Sequence, residues 1–111
     1  YIMNRKELLE HHKELCAIAL GIMEKKNHDY AGESGDTPFA NFSRTEAMGV
    51  CSTEQGFLVR VVDKVSRLST FCQTGNLKVD NESYEDAILD IVNYMVLFSG
   101  YLKEKEEENN A

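Results

Sequence analysis

Residues 57–71 read FLVRVVDKVSRLSTF, and two stripes run through them. Phe57, Leu58, Val61, Val62, Val65, Leu68 and Phe71 recur at helical spacing, which predicts a deeply packed helix. Arg60, Asp63, Lys64 and Arg67 fall at i, i+3, i+4 and i+7 and form a second, charged stripe. A helix apolar around much of its circumference belongs in the middle of a domain. Its charged stripe is therefore expected to face solvent or a polar pocket.

The rest of the chain shares this helical periodicity. Hydrophobic residues make up 42% of the 111 residues, with a single proline, Pro38, so the expected fold class is all-α. The length suits one domain, residues 1–111, with frayed ends at 1–3 and 104–111. Three long helices and one short one are expected in an antiparallel bundle. Asn4 can cap the first, which continues to about Lys25 with Leu8, Leu9, Leu15, Ala19, Ile22 and Met23 on its buried face. Ser52 with Gln55 reads as a capping box for the central helix, which ends near Thr74-Gly75. Ser83 with Asp86 reads as another, for a helix running to about Lys105 with Ile88, Ile91, Val92, Met95, Leu97, Phe98 and Leu102 mostly buried. Ser43 with Glu46 gives a further box, opening a short helix that Gly49 ends.

Between Asn27 and Cys51 the periodicity stops. A connection of that length is uncommon in a compact domain unless it has a function. His28, Asp29 and Tyr30 place an imidazole, a carboxylate and a phenol in succession, and the glycines after them permit close approach of a ligand, which suits a lid or pocket wall. Phe39 and Phe42 are positioned to anchor this segment on the core.

The net charge of −7 argues against a nucleic-acid backbone or an anionic membrane as the main partner, but is compatible with a divalent cation or a nucleotide carried with one. Cys16, Cys51 and Cys72 match no CxxC spacing and sit beside apolar residues, so reduced, buried thiols of a cytoplasmic protein are expected. No apolar run approaches the roughly 18 residues that span a bilayer, and no charged-then-apolar N-terminal signal is present. His11 and His12 point about 100° apart on their helix and read as surface residues.

On the last helix Asp86, Asp90 and Asn93 stand at i, i+4 and i+7, within about 60° of one another around the axis. Two carboxylates one turn apart repel and call for a compensating cation. Lys64 and Arg67 could supply it as a structural ion-pair network. Alternatively Asp63, Asp86 and Asp90 could converge on Mg²⁺, whose hard, oxygen-only coordination suits carboxylates, an amide oxygen and the phosphates of a substrate.

The pieces KKNHDYAG at 25–32, FANF at 39–42, TEAMG at 45–49, VRVVDKVSRL at 59–68 and NESYEDAILDIVNY at 81–94 resemble a phage and bacterial family described as nucleotide-modification-associated. That family is itself similar to the all-α, MazG-like nucleoside triphosphate pyrophosphatases. The resemblance implies an antiparallel bundle that associates through its helices, in the cytoplasm of a bacterium or a phage-infected host. It also implies Mg²⁺-dependent cleavage of a (deoxy)nucleoside triphosphate between its α- and β-phosphates. On this reading Asp63, Asp86 and Asp90 hold Mg²⁺ and carry the catalysis. Arg60, Lys64 and Arg67 neutralise phosphate oxygens, while Asn93, His28, Asp29 and Tyr30 contact sugar or base. The chain departs from the pyrophosphatase pattern at Arg60, where the first glutamate of an ExxE is expected. Asp86 and Asp90 stand four apart where three is expected, although Asp90 and Asn93 keep the spacing with an amide at its end. A guanidinium binds phosphate but cannot ligate a metal, so Arg60 favours the alternative of a non-catalytic nucleotide-binding phage protein that sequesters a signalling nucleotide or regulates a partner. A helical interaction protein that binds through its acidic surface is the third class. A homo-oligomer, dimer or larger, is expected in any case because the last helix is apolar on more than one side.

Overall fold

The computed structural model describes residues 1–31, 37–76, 78–79 and 82–110. The fold is all-α, as the periodicity predicts: α1 spans Arg5–Ala31, α2 Ala40–Ala47, α3 Thr53–Thr74 and α4 Tyr84–Asn109. Two two-residue strands, β1 (Lys78–Val79) and β2 (Glu82–Ser83), pair antiparallel between α3 and α4, with Lys78 opposite Ser83 and Val79 opposite Glu82. Helix α4 packs against both α3 and α1, and α2 lies across α3 and α1.

Most helix ends follow the local sequence. Asn4 Oδ1 accepts from the Glu7 amide at 2.9 Å, and the Glu7 carboxylate accepts from the Asn4 amide at 3.3 Å, so the expected cap is a reciprocal box. Boxes at Ser52/Gln55 and Ser83/Asp86 open α3 and α4. Gly75, at φ 68°, ends α3 with its amide donating to Phe71 O, and the left-handed backbone there favours glycine.

Three boundaries differ from the sequence reading. Helix α1 continues six residues past Lys25, to Ala31, which takes up the first part of the expected loop. Helix α4 continues to Asn109 rather than stopping near Lys105, because Glu, Lys and Asn in that tail contain no helix breaker. The third concerns α2, which starts at Ala40 without a side-chain cap, so Ser43 lies inside it and donates its hydroxyl to Ala40 O. Glu46 caps the next helix instead. Its carboxylate accepts from the Thr53 hydroxyl at 2.6 Å and the Thr53 amide at 3.0 Å, which ties the end of α2 to the start of α3. Gly49, at φ 78°, makes the turn between them: its amide bonds to Glu46 O, and that of Val50 to Thr45 O, a Schellman pattern.

The core is a pile of aromatic rings. Phe57 is fully buried and stacks on Phe42 at 4.1 Å and on Phe98 at 5.1 Å between ring centroids. Phe39 meets Phe57 and Tyr101 edge-on, and Tyr94 meets Phe42 in the same way. Leu97 closes the cluster, with Met23 of α1 packed against it. Phe39 and Phe42 therefore anchor α2 as expected.

The expected burial of α3 is only half met. Phe57 and Phe71 are buried and Val61 and Leu68 half-buried, but Leu58, Val62 and Val65 are exposed. On α1, Leu8 and Leu9 are exposed while Ala19 is buried and Leu15, Ile22 and Met23 are half-buried. Met95 and Leu102 of α4 are exposed as well. Among the described residues one stripe of each long helix is thus covered by its neighbours and further apolar positions are exposed. The cysteines are free, but Cys16 and Cys72 are exposed and Cys51 half-buried, so the expectation of buried thiols is corrected. His11 and His12 are exposed, and His12 Nδ1 lies 3.7 Å from Cys16 Sγ.

Two outcomes follow for stability. Phe57→Ala removes the ring between two stacked partners and should cost about 3–5 kcal/mol in urea unfolding, with Phe57→Leu costing less. The Thr53 hydroxyl, and then its amide, hold the Glu46 carboxyl below its ordinary 4.5. A depressed folded-state value means that this contribution is present above the unfolded-state value and is lost as pH falls through the folded one. Thermal melts of Glu46→Gln should therefore show a lower midpoint at neutral pH and a smaller loss of stability on acidification than the parent.

Candidate functional site

The polar cleft of the molecule forms where the end of α1 meets the start of α4. The Ser83 cap fixes the first turn of α4, and Asp86 is its reciprocal partner: Asp86 Oδ2 accepts from the Ser83 amide and hydroxyl, each at 3.0 Å. One turn on, Asp90 faces α3, and Lys64 Nζ lies 2.8 Å from its Oδ2. Both side chains are largely covered, at 14% and 22% exposure, so this pair is far less screened than a surface one. From α1, Ile22 and Lys26 complete a cleft of about 280 Å³ with Asp86, Leu89 and Asp90. The hydrogen bonds from Ser83 hold the Asp86 carboxyl below the usual carboxylate range, and the Lys64 and Lys26 ammoniums add to this.

One helical period further, Asn93 is buried and its Nδ2 donates to Ala19 O at 3.0 Å. That amide fastens α4 to the backbone of α1. The expected sugar or base contact thus falls on a side chain committed to holding the cleft's two walls together.

The charged stripe of α3 divides three ways. Lys64 reaches Asp90. Asp63 pairs with Arg67 within its own helix at 3.5 Å, and both are more exposed than the Lys64 pair. Arg60 lies with its guanidinium 5.8 Å from the centroid of the Phe42 ring, on the side of α3 that meets α2. The backbone of His28, Asp29 and Tyr30 belongs to the last turns of α1, and their side chains lie outside the described residues.

Among the described residues no group of three or more His, Cys, Asp and Glu side chains gathers as a metal site. The donor chemistry of the cleft is mixed. Asp86 and Asp90 offer hard oxygens, but Ser83 and Lys64 already donate to them, and two ammoniums balance two carboxylates. A divalent ion would have to displace Lys64 from Asp90. Among the described residues the donors of the cleft are thus already engaged, and anionic oxygens that compete for Lys64 and Lys26 suit it.

Lys26 is a residue of the cleft that the sequence reading does not single out. A signal was present: it stands four residues after Ile22, so it continues the edge of the buried face of α1. No protein-family model, curated protein or solved structure matches this chain. Among the described residues, no helix is long and apolar enough to cross a membrane.

The Lys64–Asp90 pair is open to a direct test. Asp90→Asn should lower stability by about 1–3 kcal/mol by removing the carboxylate that a largely covered ammonium faces at 2.8 Å. In a double-mutant cycle with Lys64→Met, denaturant unfolding should return part of that loss, because the ammonium that faced Asp90 is then gone as well.

Proposed function

We propose that this chain is a nucleotide-binding protein whose cleft between α1 and α4 takes the phosphates. The observation that carries this reading is a concave site lined by Lys26 from α1, with an apolar wall of Ile22 and Leu89, whose Asp90 is held from α3 by Lys64. Two ammoniums on separate helices can meet two phosphate oxygens at once, and charge-assisted hydrogen bonds of this kind are among the stronger polar contacts. The cleft is at the small end for ligand pockets, so it accommodates phosphates and part of a sugar. His28, Asp29 and Tyr30 follow Lys26 after Asn27 and are the residues assigned to the base.

The specific reaction proposed is hydrolysis of a (deoxy)nucleoside triphosphate to monophosphate and pyrophosphate, of the MazG-like kind that the sequence resemblance implies. Mg²⁺ belongs to this proposal as a companion of the incoming phosphates, not as a resident ion. Binding without turnover is the second reading. It is favoured by the Lys64–Asp90 pair, which occupies a carboxylate that catalysis would need, and by Arg60 in place of an acid.

A panel of nucleoside triphosphates with and without Mg²⁺, followed by phosphate-resolving chromatography and titration calorimetry, separates the readings. Heat of binding with release of pyrophosphate supports the enzyme, and heat of binding alone supports the sequestering protein. Lys26→Gln should weaken binding at least about tenfold while leaving the circular dichroism unchanged. If no nucleotide binds the parent, the reading fails.

A further inference from the structure

In the first half of α1, His12 and Cys16 stand four residues apart, so the helix carries an imidazole and a thiol on one face, one turn from each other. Both side chains are exposed, and His12 Nδ1 and Cys16 Sγ face each other at 3.7 Å. The next residues along the same row are Leu8 and Leu20, so within the helix no carboxylate stands in line to engage either group. Lys13, three residues before Cys16, is the charged neighbour at helical spacing, and an ammonium there favours the thiolate.

The separation is that of two ligands on one ion. A zinc ion about 2.3 Å from a thiolate and about 2.0–2.1 Å from an imidazole nitrogen, with a tetrahedral angle between them, holds the two donor atoms roughly 3.5–3.6 Å apart. The 3.7 Å in this structure differs from that by only about 0.1–0.2 Å, so a small rotation of either side chain closes the site and the helix backbone need not move. The donors also decide the kind of ion. Sulfur and imidazole nitrogen suit Zn²⁺ and softer cations, whereas Mg²⁺ and Ca²⁺ take oxygen. The other thiols have apolar surroundings instead: Cys72 lines a hollow with Leu68, Phe71, Tyr84 and Ile88, and Cys51 one with Leu58 and Val59.

We propose that His12 and Cys16 form a surface site for one Zn²⁺-class cation, bound through His12 Nδ1 and Cys16 Sγ, with water at the remaining positions of the tetrahedron. On binding, the Cys16 thiol gives its proton to solvent and the sulfur–metal bond forms, while the imidazole binds neutral through Nδ1 and keeps its proton on Nε2. The ion then clips one turn of α1 in the half of the helix where Leu8 and Leu9 are exposed and neighbouring helices cover little. Two protein ligands leave the ion open on its outer side, where an exchangeable ligand can enter. The site precedes the cleft residues Ile22 and Lys26 on α1, uses donors of a different class, and does not depend on the nucleotide reading.

The probe is Cd²⁺, which takes the same donors and gives an ultraviolet charge-transfer band with a thiolate. Titrated into the reduced full chain, it should raise that band along an isotherm that saturates at one ion per chain, with release of about one proton per ion. Zn²⁺ should displace it and an equal concentration of Mg²⁺ should not. Both positions are exposed sites on a helix, where alanine is well tolerated, so Cys16→Ala and His12→Ala should keep the helical circular dichroism of the parent. Cys16→Ala should abolish the saturable band, and His12→Ala should weaken binding at least about tenfold. The proposal is overturned if the parent gives no such band or if the band survives Cys16→Ala. It is equally overturned if His12→Ala leaves the affinity unchanged, because the ion would then sit on a thiol alone.

Discussion

Phe57 lies between the rings of Phe42 and Phe98, and three helices are held by that contact. It is the point where α2, α3 and α4 meet, and no other side chain of α3 is as completely enclosed. Stacked rings contribute area and a preferred geometry together, so this core fixes orientation as well as proximity. Arg60, three residues and so about one helical turn after Phe57, is brought over the Phe42 ring by it. Lys64, two turns from Phe57 and on the α4 side, is brought to Asp90. The charged stripe is therefore parcelled out by the aromatic core, with each member going to the neighbour that the packing of Phe57 supplies.

Among the described residues few side chains are fully buried, and the aromatic cluster joins α2, the first turns of α3 and the middle of α4. Aromatic bulk compensates for the low number of fully buried residues. What remains outside is a set of helical faces with neighbours on one side and apolar residues on both. The open α3 face and the polar cleft of α1 and α4 both result from this layout. Of the charged pairs, Lys64–Asp90 joins α3 to α4, whereas the exposed Leu58, Val59, Val62 and Val65 lie on another side of α3.

Helix termini were legible because their chemistry is local. Asn4, Ser52 and Ser83 bond to amides three residues on, and Gly75 adopts the left-handed conformation its type permits. The all-α class followed from periodicity for the same reason. What was not legible depends on distance. Glu46 lies three residues after Ser43, which makes a local box, but seven before Thr53, and the longer bond wins because it joins two helices. The stripe of α3 could not say which of its apolar sides was inward, since Phe57 and Val62 differ in position and not in kind. At the site, Asp90 and Lys64 were each visible as candidates and their pairing was one of two stated possibilities. Lys26 needed knowledge of how α1 lies along α4, and no spacing within one helix contains that.

The Asn93 amide on Ala19 O works as an indexing pin between two rods. Ala19 and Lys26 are seven residues apart on α1, and Asp86 and Asn93 are seven apart on α4, running the opposite way. Pinning one end of this interval lands the lysine opposite the aspartate at the other, about 10 Å along. A slip of α1 by one turn would strand a buried amide hydrogen in an apolar layer, so the two helices have one register and not a ladder of near-equal ones. A single residue inserted or deleted inside either interval would turn Lys26 or Asp86 by about 100° out of the cleft while leaving both helices intact. The chemistry of the cleft is thus set by a length held in common by two helices, and that length is where the chain tolerates change in residue type far better than change in count.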